Sequence, residues 1–181
     1  MNADAIESAR ESLRHLRDAF HLIERGLPVR DARKAWGEML HYSDKIYNQI
    51  GAACESNKDR DWHNHEDRLR RKDPFLRYAL HARNAEHHGV SQSTERRGGE
   101  FDMLRQRLPR NLSDPSEGDE EPPLVLVPVL DRGVTYEVPT SFIGMPIGDP
   151  KLLTVALSLE MAMRALVQQA YYIATGKHMR I

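Results

Sequence analysis

The 181-residue sequence has little of several features that mark common protein classes. Its one cysteine, Cys54, excludes an intrachain disulfide framework and a cysteine-rich zinc site, and is typical of a reducing compartment. The longest apolar run, residues 124–130, is far shorter than the roughly 20 residues of a membrane helix. The N-terminal stretch MNADAIESARESL has no apolar signal core. We therefore expect a soluble, cytoplasmic protein that does not contact a membrane.

Sequence motifs of several enzyme classes are also absent. The chain has no Gly-rich phosphate loop, no nucleophile elbow and no paired-carboxylate signature. A chain without these motifs is not expected to be a nucleotide hydrolase of the P-loop type or an esterase of the nucleophile-elbow type.

The net charge of −1 hides an uneven distribution along the chain. Residues 58–110 carry 13 basic and 9 acidic side chains and five of the nine histidines, whereas residues 111–123 carry five acids and no base. An anionic ligand is therefore expected in the basic middle segment. The same charges would also suit a solvated helix face, so composition leaves both interpretations open.

Hydrophobic periodicity predicts a mainly α-helical fold. Asp73 and Pro74 predict a break in the third helix, with Asp73 as N-cap and Pro74 at the first helical position. Gly89 is expected just after the end of that helix, and Asp31 and Asp149 are expected to cap the second and last helices. The predicted helices cover about residues 4–25, 31–54, 62–88 and 150–175.

The segment between the third and last predicted helices has a different composition. Residues 91–123 are rich in Gly, Ser, Pro and acidic side chains and predict a polar loop or linker. Residues 124–140 predict a β-hairpin with a turn at residues 131–133, and such a ribbon must pack on the helices to be stable. We therefore expect one domain over residues 1–181, a helical bundle with a small hairpin before the last helix.

The last predicted helix is apolar around most of its circumference, interrupted only by Glu160, Arg164, Gln168 and Gln169. A helix of this kind is covered by more than one neighbour. We expect it at the centre of the bundle or in the interface of a homodimer.

Two polar clusters are candidates for chemistry, and the first is WHNHED at residues 62–67. Its His63 and His65 could bind a transition metal beside an acid. The segment also lies near a predicted helix start, where Asp, Asn and Glu are common caps. We therefore favour capping and solvation over metal binding.

The second cluster is RNAEHHG at residues 83–89, late in an uninterrupted predicted helix. Arg83 is followed by Asn84 and, after four intervening residues, by His88. The spacing alone is not informative, because three other Arg–His pairs in the chain are separated by four to six residues. The asparagine after the arginine, the late position in the helix and the all-helical surroundings distinguish this pair.

This Arg-Asn-x3-His arrangement resembles the catalytic signature of HEPN-domain ribonucleases. The wider pattern, DPFLRYALHARNAEHHG followed by LDRGVTYEVP and a final apolar helix, resembles uncharacterised bacterial HEPN-like proteins over about three quarters of the chain. The resemblance implies a HEPN-like helical bundle in which Arg83, Asn84 and His88 cleave RNA at a dimer interface without metal. It also implies a role in phage defence or in a toxin–antitoxin pair.

The residue types suit this chemistry. RNA cleavage without metal needs a base for the 2′-hydroxyl proton, an acid for the leaving oxygen and a cation for the charge developing on phosphorus. Histidine suits both proton transfers, and the arginine fork binds two phosphate oxygens at once. Asn84 would orient the histidine or the phosphate, and Arg77 and His81 are candidate RNA contacts on the same helix. The product would carry a 2′,3′-cyclic phosphate, and the reaction would need no cofactor.

A straight helix does not bring Arg83 and His88 together, because five residues correspond to about 140°. Either the helix loosens before Gly89 and turns His88 inward, or a dimer combines two motifs in one cleft. His87 shares the face of Arg83 and is a rival, and Glu86 could set the tautomer or charge of either histidine. The competing hypothesis is a non-catalytic helical module that binds a nucleotide, nucleic acid or protein partner.

Overall fold

The computed structural model describes residues 1–26, 28–96, 124–147 and 151–179. The described part is mainly α-helical, as the apolar periodicity predicted. Its five helices are α1 (Ala3–Glu24), α2 (Val29–Ala52), α3 (Asn57–Lys72), α4 (Pro74–His87) and α5 (Leu152–Thr175). Not one of these described helices is both long enough and apolar enough to cross a membrane.

Six short strands form three antiparallel pairs in the described chain before α5. The pairs are β1 (Thr94–Arg96) with β2 (Leu124–Leu126), β3 (Val129–Asp131) with β4 (Val134–Tyr136), and β5 (Ser141–Phe142) with β6 (Met145–Pro146). The predicted hairpin is confirmed over β3 and β4. Its turn residues Arg132 and Gly133 both have positive φ, +50° and +78°, as a type I′ hairpin turn requires.

The strands also correct two boundaries of the sequence prediction. β2 was expected in the hairpin but pairs with β1, with Thr94 opposite Leu126. Pro128 has no N–H to donate to a strand ladder, and it separates β2 from β3. Residues 94–96 were expected in a polar loop. They form a strand instead, because their backbone pairs with that of β2. Most of that predicted loop, residues 97–123, lies outside the described residues.

Helix α4 begins and ends where the sequence predicted. Its N-cap is Asp73, whose Oδ1 accepts hydrogen bonds from the backbone N–H groups of Phe75 and Leu76, both at 2.9 Å. After the helix, Gly89 has a φ of +64° and donates its N–H to the carbonyl of Glu86. Glycine adopts this left-handed conformation without strain, so α4 ends sharply at this point.

The starts of α2 and α3 differ from the prediction. The N-cap position of α2 is Pro28, which has no side-chain hydrogen bond to the helix. The expected cap Asp31 lies in the first turn, where a carboxylate is favourable near the helix N-terminus. α3 begins after Ser56, which forms a capping box with the acid three residues later. Residues 62–67 therefore lie inside α3 and do not cap it.

Helices α1, α2 and α5 pack against one another and bury the main core, which includes Leu16, Trp36 and Leu159. The prediction that α5 is covered by more than one neighbour is confirmed, since it contacts α1, α2 and β2. Its N-cap is Lys151, while the predicted cap Asp149 lies outside the described residues.

Helix α4 packs between α2 on one side and strands β3 and β5 on the other, with α3 also in contact. Its apolar side chains Phe75, Tyr78, Ala79 and Ala82 are buried. The polar residues of the second half of α4 are consequently placed either against α2 or against the β3–β4 hairpin. This placement decides which of the candidate site residues meet.

Candidate functional site

Arg83 lies on the side of α4 that faces α2. Its Nη2 lies 3.5 Å from Oδ2 of Asp44, and its Nη1 donates a 3.2 Å hydrogen bond to Oδ1 of Asn84. Its Nε is buried without a hydrogen-bond partner among the described residues. A quarter of the side chain is exposed, at a surface cavity of about 320 Å³ that Lys45 and Asn48 also line. Arg83 is thus held from two sides and remains reachable from solvent.

Asp44 is shared between two arginines. Its Oδ1 accepts a 2.9 Å hydrogen bond from Nη2 of Arg70, which is only 6% exposed. The Arg70 guanidinium also lies over the ring of Tyr47, 4.2 Å from the ring centroid. Because one carboxylate faces two guanidinium groups, positive charge remains in excess beside Arg83, which favours the approach of an anion.

Asn84 and His81 meet at a buried carboxylate contributed by the hairpin. Oδ2 of Asp131 accepts a 2.7 Å hydrogen bond from Nδ1 of His81 and a 3.2 Å hydrogen bond from Nδ2 of Asn84. Because the Asn84 amide nitrogen is directed to Asp131, the amide oxygen is directed to Arg83. Burial opposes the ionisation of Asp131, but the hydrogen bonds from His81 and Asn84 outweigh it and lower its pKa.

The ring of His81 is also held by stacking. It lies on the ring of Tyr136 with centroids 3.6 Å apart and planes 12° apart. His81 was expected as an RNA contact, and the structure makes it a partly buried member of a hydrogen-bonded cluster. Arg77, the other expected RNA contact, is exposed one turn earlier on α4.

His87 and His88 are both exposed at the end of α4. Their rings contact each other edge to face, with centroids 5.3 Å apart. Neither ring forms a hydrogen bond or ion pair within the part of the chain that the structure describes. α4 stays α-helical through His87, so the predicted loosening that would turn His88 inward is not observed. A single chain does not bring Arg83 and His88 together.

Glu86 does not contact either histidine. It accepts a 3.2 Å hydrogen bond from the backbone N–H of Ser93 and another from the Ser93 hydroxyl, which in turn accepts a 2.9 Å bond from Nε1 of Trp36. Burial raises the pKa of Glu86, although these hydrogen bonds and the charge of Arg33 act in the opposite direction. Glu86 was expected to set the tautomer of His87 or His88, but in the structure its carboxyl group contacts Ser93 and neither histidine.

The alternative site at His63 and His65 does not assemble. Nε2 of His63 donates a 3.2 Å hydrogen bond to the carbonyl of Tyr47. His65 lies two positions further along α3, about 200° around the helix, and is exposed. Among the residues that the structure describes, no group of three histidine, cysteine or acidic side chains is arranged to hold a metal ion.

Four of the candidate residues lie on one stripe of α4. These are Arg77, His81, Asn84 and, at the C-cap directly after the last residue of α4, His88. At 100° per residue they fall within about 60° of one another, and the hairpin packs on this stripe through Asp131. Arg83 and His87 form a second stripe. The site thus has two sides, and Asn84 connects them by bonding both Asp131 and Arg83.

Sequence reasoning did not find Asp44, Asp131 and Tyr136 as site residues. Asp131 lies 50 positions from His81 and 47 from Asn84, so no helical or strand spacing relates them. It was expected only as part of the hairpin turn. The spacing of the stripe on α4 was available in the sequence and could have indicated that His81 and Asn84 share a face.

No protein-family model, no curated protein and no solved structure matches this chain.

Proposed function

We propose that this chain is a metal-independent endoribonuclease of HEPN type, with Arg83, Asn84 and His88 as catalytic residues. The observation that carries the proposal is the state of Arg83, which is bonded to Asn84 and Asp44 and still a quarter exposed. A guanidinium held in one orientation can bind two oxygens of a phosphodiester as negative charge develops on them.

The exposed ring of His88 supplies the proton transfer. Cleavage joins the 2′-oxygen to phosphorus and releases the 5′-oxygen, so the RNA product ends in a 2′,3′-cyclic phosphate. Asn84 orients Arg83 through its amide oxygen. A biological role in phage defence or in a toxin–antitoxin pair belongs to the same proposal.

A second copy of the chain completes the proposed site. Because His88 lies about 140° around α4 from Arg83, one chain offers the two groups on different faces. In a homodimer, the exposed His88 of one copy can approach the Arg83 of the other, and the cleft then contains both residues twice. Such a cleft places two arginine guanidinium groups and two histidine rings around one phosphodiester.

The competing proposal is a non-catalytic HEPN-like module that binds a nucleotide, nucleic acid or protein partner through the same surface. One observation favours it, because Arg83 already forms an ion pair with Asp44 inside one chain. A purely structural arginine would make the same contact. In that case replacing Arg83 would weaken binding or folding, and neither the wild type nor the variant would cleave RNA.

The test is cleavage of a labelled RNA pool, in the presence of EDTA, by the wild type and by R83A, H87A and H88A. We expect wild-type products with 2′,3′-cyclic phosphate ends and a loss of at least about 100-fold in R83A and H88A. H87A is the matched control, since His87 is the exposed neighbour of His88, and it should keep wild-type activity.

Two results would contradict the proposal. A wild-type protein that cleaves no RNA at high enzyme concentration would transfer support to the binding module. Cleavage that survives in H88A but not in H87A would assign the proton transfer to His87 instead.

A further inference from the structure

The imidazole ring of His81 is fixed by two separate contacts, a hydrogen bond and a ring stack. Its Nδ1 donates a 2.7 Å hydrogen bond to Asp131, a carboxylate that is 4% exposed. Its ring plane is fixed by stacking on Tyr136 at 3.6 Å. One contact fixes the edge of the ring and the other fixes its plane, so the imidazole has a single orientation in the fold.

The opposite edge of the ring is open. Because Nδ1 carries its proton toward Asp131, the lone pair of the neutral ring lies on Nε2. Nε2 has no hydrogen-bond partner among the described residues, and a fifth of the side chain is exposed. The groups that face this cluster are Asp131 and Tyr136 of the hairpin and Asn84 of α4, with Arg132 acting on Asp131 through its charge.

His81 is also aligned with two of the three proposed catalytic residues, Asn84 and His88. Asn84 follows it by three residues and His88 by seven, which correspond to about 4.5 Å and about 10.5 Å along the helix axis. His81 and Asn84 share one stripe of α4, and His88, the C-cap residue, continues it. A phosphodiester along this stripe would have His81 toward one end, His88 toward the other and Asn84 between them.

We propose that His81 is the general base of the cleavage reaction and that Asp131 is its positioning residue. This inference rests on the proposed endoribonuclease function, which needs two proton-transfer groups and takes only one histidine from the Arg-Asn-x3-His motif. His81 supplies the second proton-transfer group from the same chain as His88, while the second copy still contributes the Arg83 that faces the phosphodiester.

Nε2 of His81 takes the proton of the 2′-hydroxyl group while an electron pair of the 2′-oxygen forms the new bond to phosphorus. The bond from phosphorus to the 5′-oxygen breaks with its electron pair, and that oxygen takes a proton from the imidazolium of His88. The positive charge left on His81 lies beside the carboxylate of Asp131, which stabilises it.

The experiment measures kcat and KM for RNA cleavage as a function of pH in the wild type, H81Q and D131N. Glutamine retains a side-chain N–H donor but cannot take a proton at neutral pH, so H81Q removes the base. We expect kcat of H81Q to fall at least about 100-fold with KM nearly unchanged, and kcat of D131N to fall at least about tenfold. A mere RNA contact at His81 would raise KM instead.

A second readout follows the tautomer itself. Imidazole nitrogen chemical shifts, recorded at a pH where the ring is neutral, should place the His81 proton on Nδ1 in the wild type, and D131N should lose this preference. T135A, which changes an exposed residue of the same hairpin, controls for damage to the strands and should leave both rate and tautomer unchanged.

The outcomes separate this inference from the proposed function. A wild type that cleaves RNA together with an equally active H81Q would overturn the role of His81 and leave the endoribonuclease proposal standing. A wild type that does not cleave RNA would overturn both. An inactive H81Q beside a fully active D131N with an unchanged tautomer would overturn the role of Asp131 alone.

Discussion

The carboxyl group of Glu86 is stabilised in its neutral form by its surroundings. Burial against α2 raises its pKa by more than the hydrogen bonds from Ser93 and the charge of Arg33 lower it. At the residue scale, a raised pKa in the folded state means that ionisation works against folding. The neutral acid still accepts both hydrogen bonds from Ser93, which join it to Trp36 in the core.

This environment predicts a pH-dependent effect of E86Q. The stabilisation by neutral Glu86 is complete below the unfolded pKa of about 4.3 and is lost as the pH rises through the higher folded pKa. Glutamine stays neutral and its carbonyl accepts the same hydrogen bonds. The free energy of unfolding of E86Q should therefore increase relative to that of the wild type between pH 4 and pH 8, as measured by urea denaturation.

The control for this experiment is E137Q, which removes one exposed carboxyl charge without touching the Ser93 cluster. Its unfolding curves report the general effect of one fewer acidic side chain. Stability curves for the wild type and E86Q that stay parallel from pH 4 to pH 8 would show that Glu86 is not stabilised as the neutral acid.

At the scale of elements, the β3–β4 hairpin places Asp131 against α4. The first position of its two-residue turn is occupied by an arginine, which does not favour the backbone conformation found there. Arg132 has a φ of +50° and is followed by Gly133 at +78°. A type I′ turn favours Asn-Gly, because asparagine enters the left-handed region more easily than other side chains do. The turn matters for the site because Asp131, the residue before Arg132, holds both His81 and Asn84.

The turn geometry predicts opposite effects for two substitutions at one position. R132N should stabilise the protein by about 0.5–1 kcal/mol, because the strain of a positive φ is relieved. R132V should destabilise it, because a β-branched residue is a genuine outlier at positive φ. For a chain of this length, thermal unfolding should register about 2–4 °C per kcal/mol. Equal melting temperatures for both variants would contradict the strain argument.

At the scale of the whole molecule, α5 has an apolar face that the described chain leaves uncovered. Leu153, Leu157 and Met161 recur at four-residue spacing and are each about half exposed. Their neighbours Val155 and Leu159 point into the core. A soluble monomer rarely exposes a contiguous apolar patch of this kind without using it, and the proposed cleft needs a second copy.

The apolar face predicts a concentration-dependent dimer. The wild type should have the mass of a homodimer in size-exclusion chromatography with light scattering, and the double variant L157E/M161E should shift toward the mass of a monomer. L69E is the matched control, since Leu69 is an exposed leucine on α3 rather than α5. A monomeric wild type at tens of micromolar, or a dimer lost equally in L69E, would reject this interface.

Much of the fold was predictable because its signals are local. The stop at Gly89 and the start at Asp73 and Pro74 depend on residues within one helical turn, and both were confirmed. The hairpin turn at Arg132 and Gly133 is also a two-residue signal. The pairing of β1 with β2 was missed because its two strands are about 30 positions apart, and neither strand alternates clearly enough to indicate a partner.

The sequence by itself determined the helical class of this protein and the position of the Arg-Asn-x3-His motif late in one helix. These properties follow from periodicity and capping, which act between residues a few positions apart. Only the tertiary structure decided what surrounds the motif. In the tertiary structure Arg83 forms an ion pair with Asp44, and Glu86 accepts hydrogen bonds from Ser93. Asp131 accepts hydrogen bonds from both His81 and Asn84. Those contacts arise from packing α4 between α2 and the hairpin, which no short-range pattern in the chain encodes.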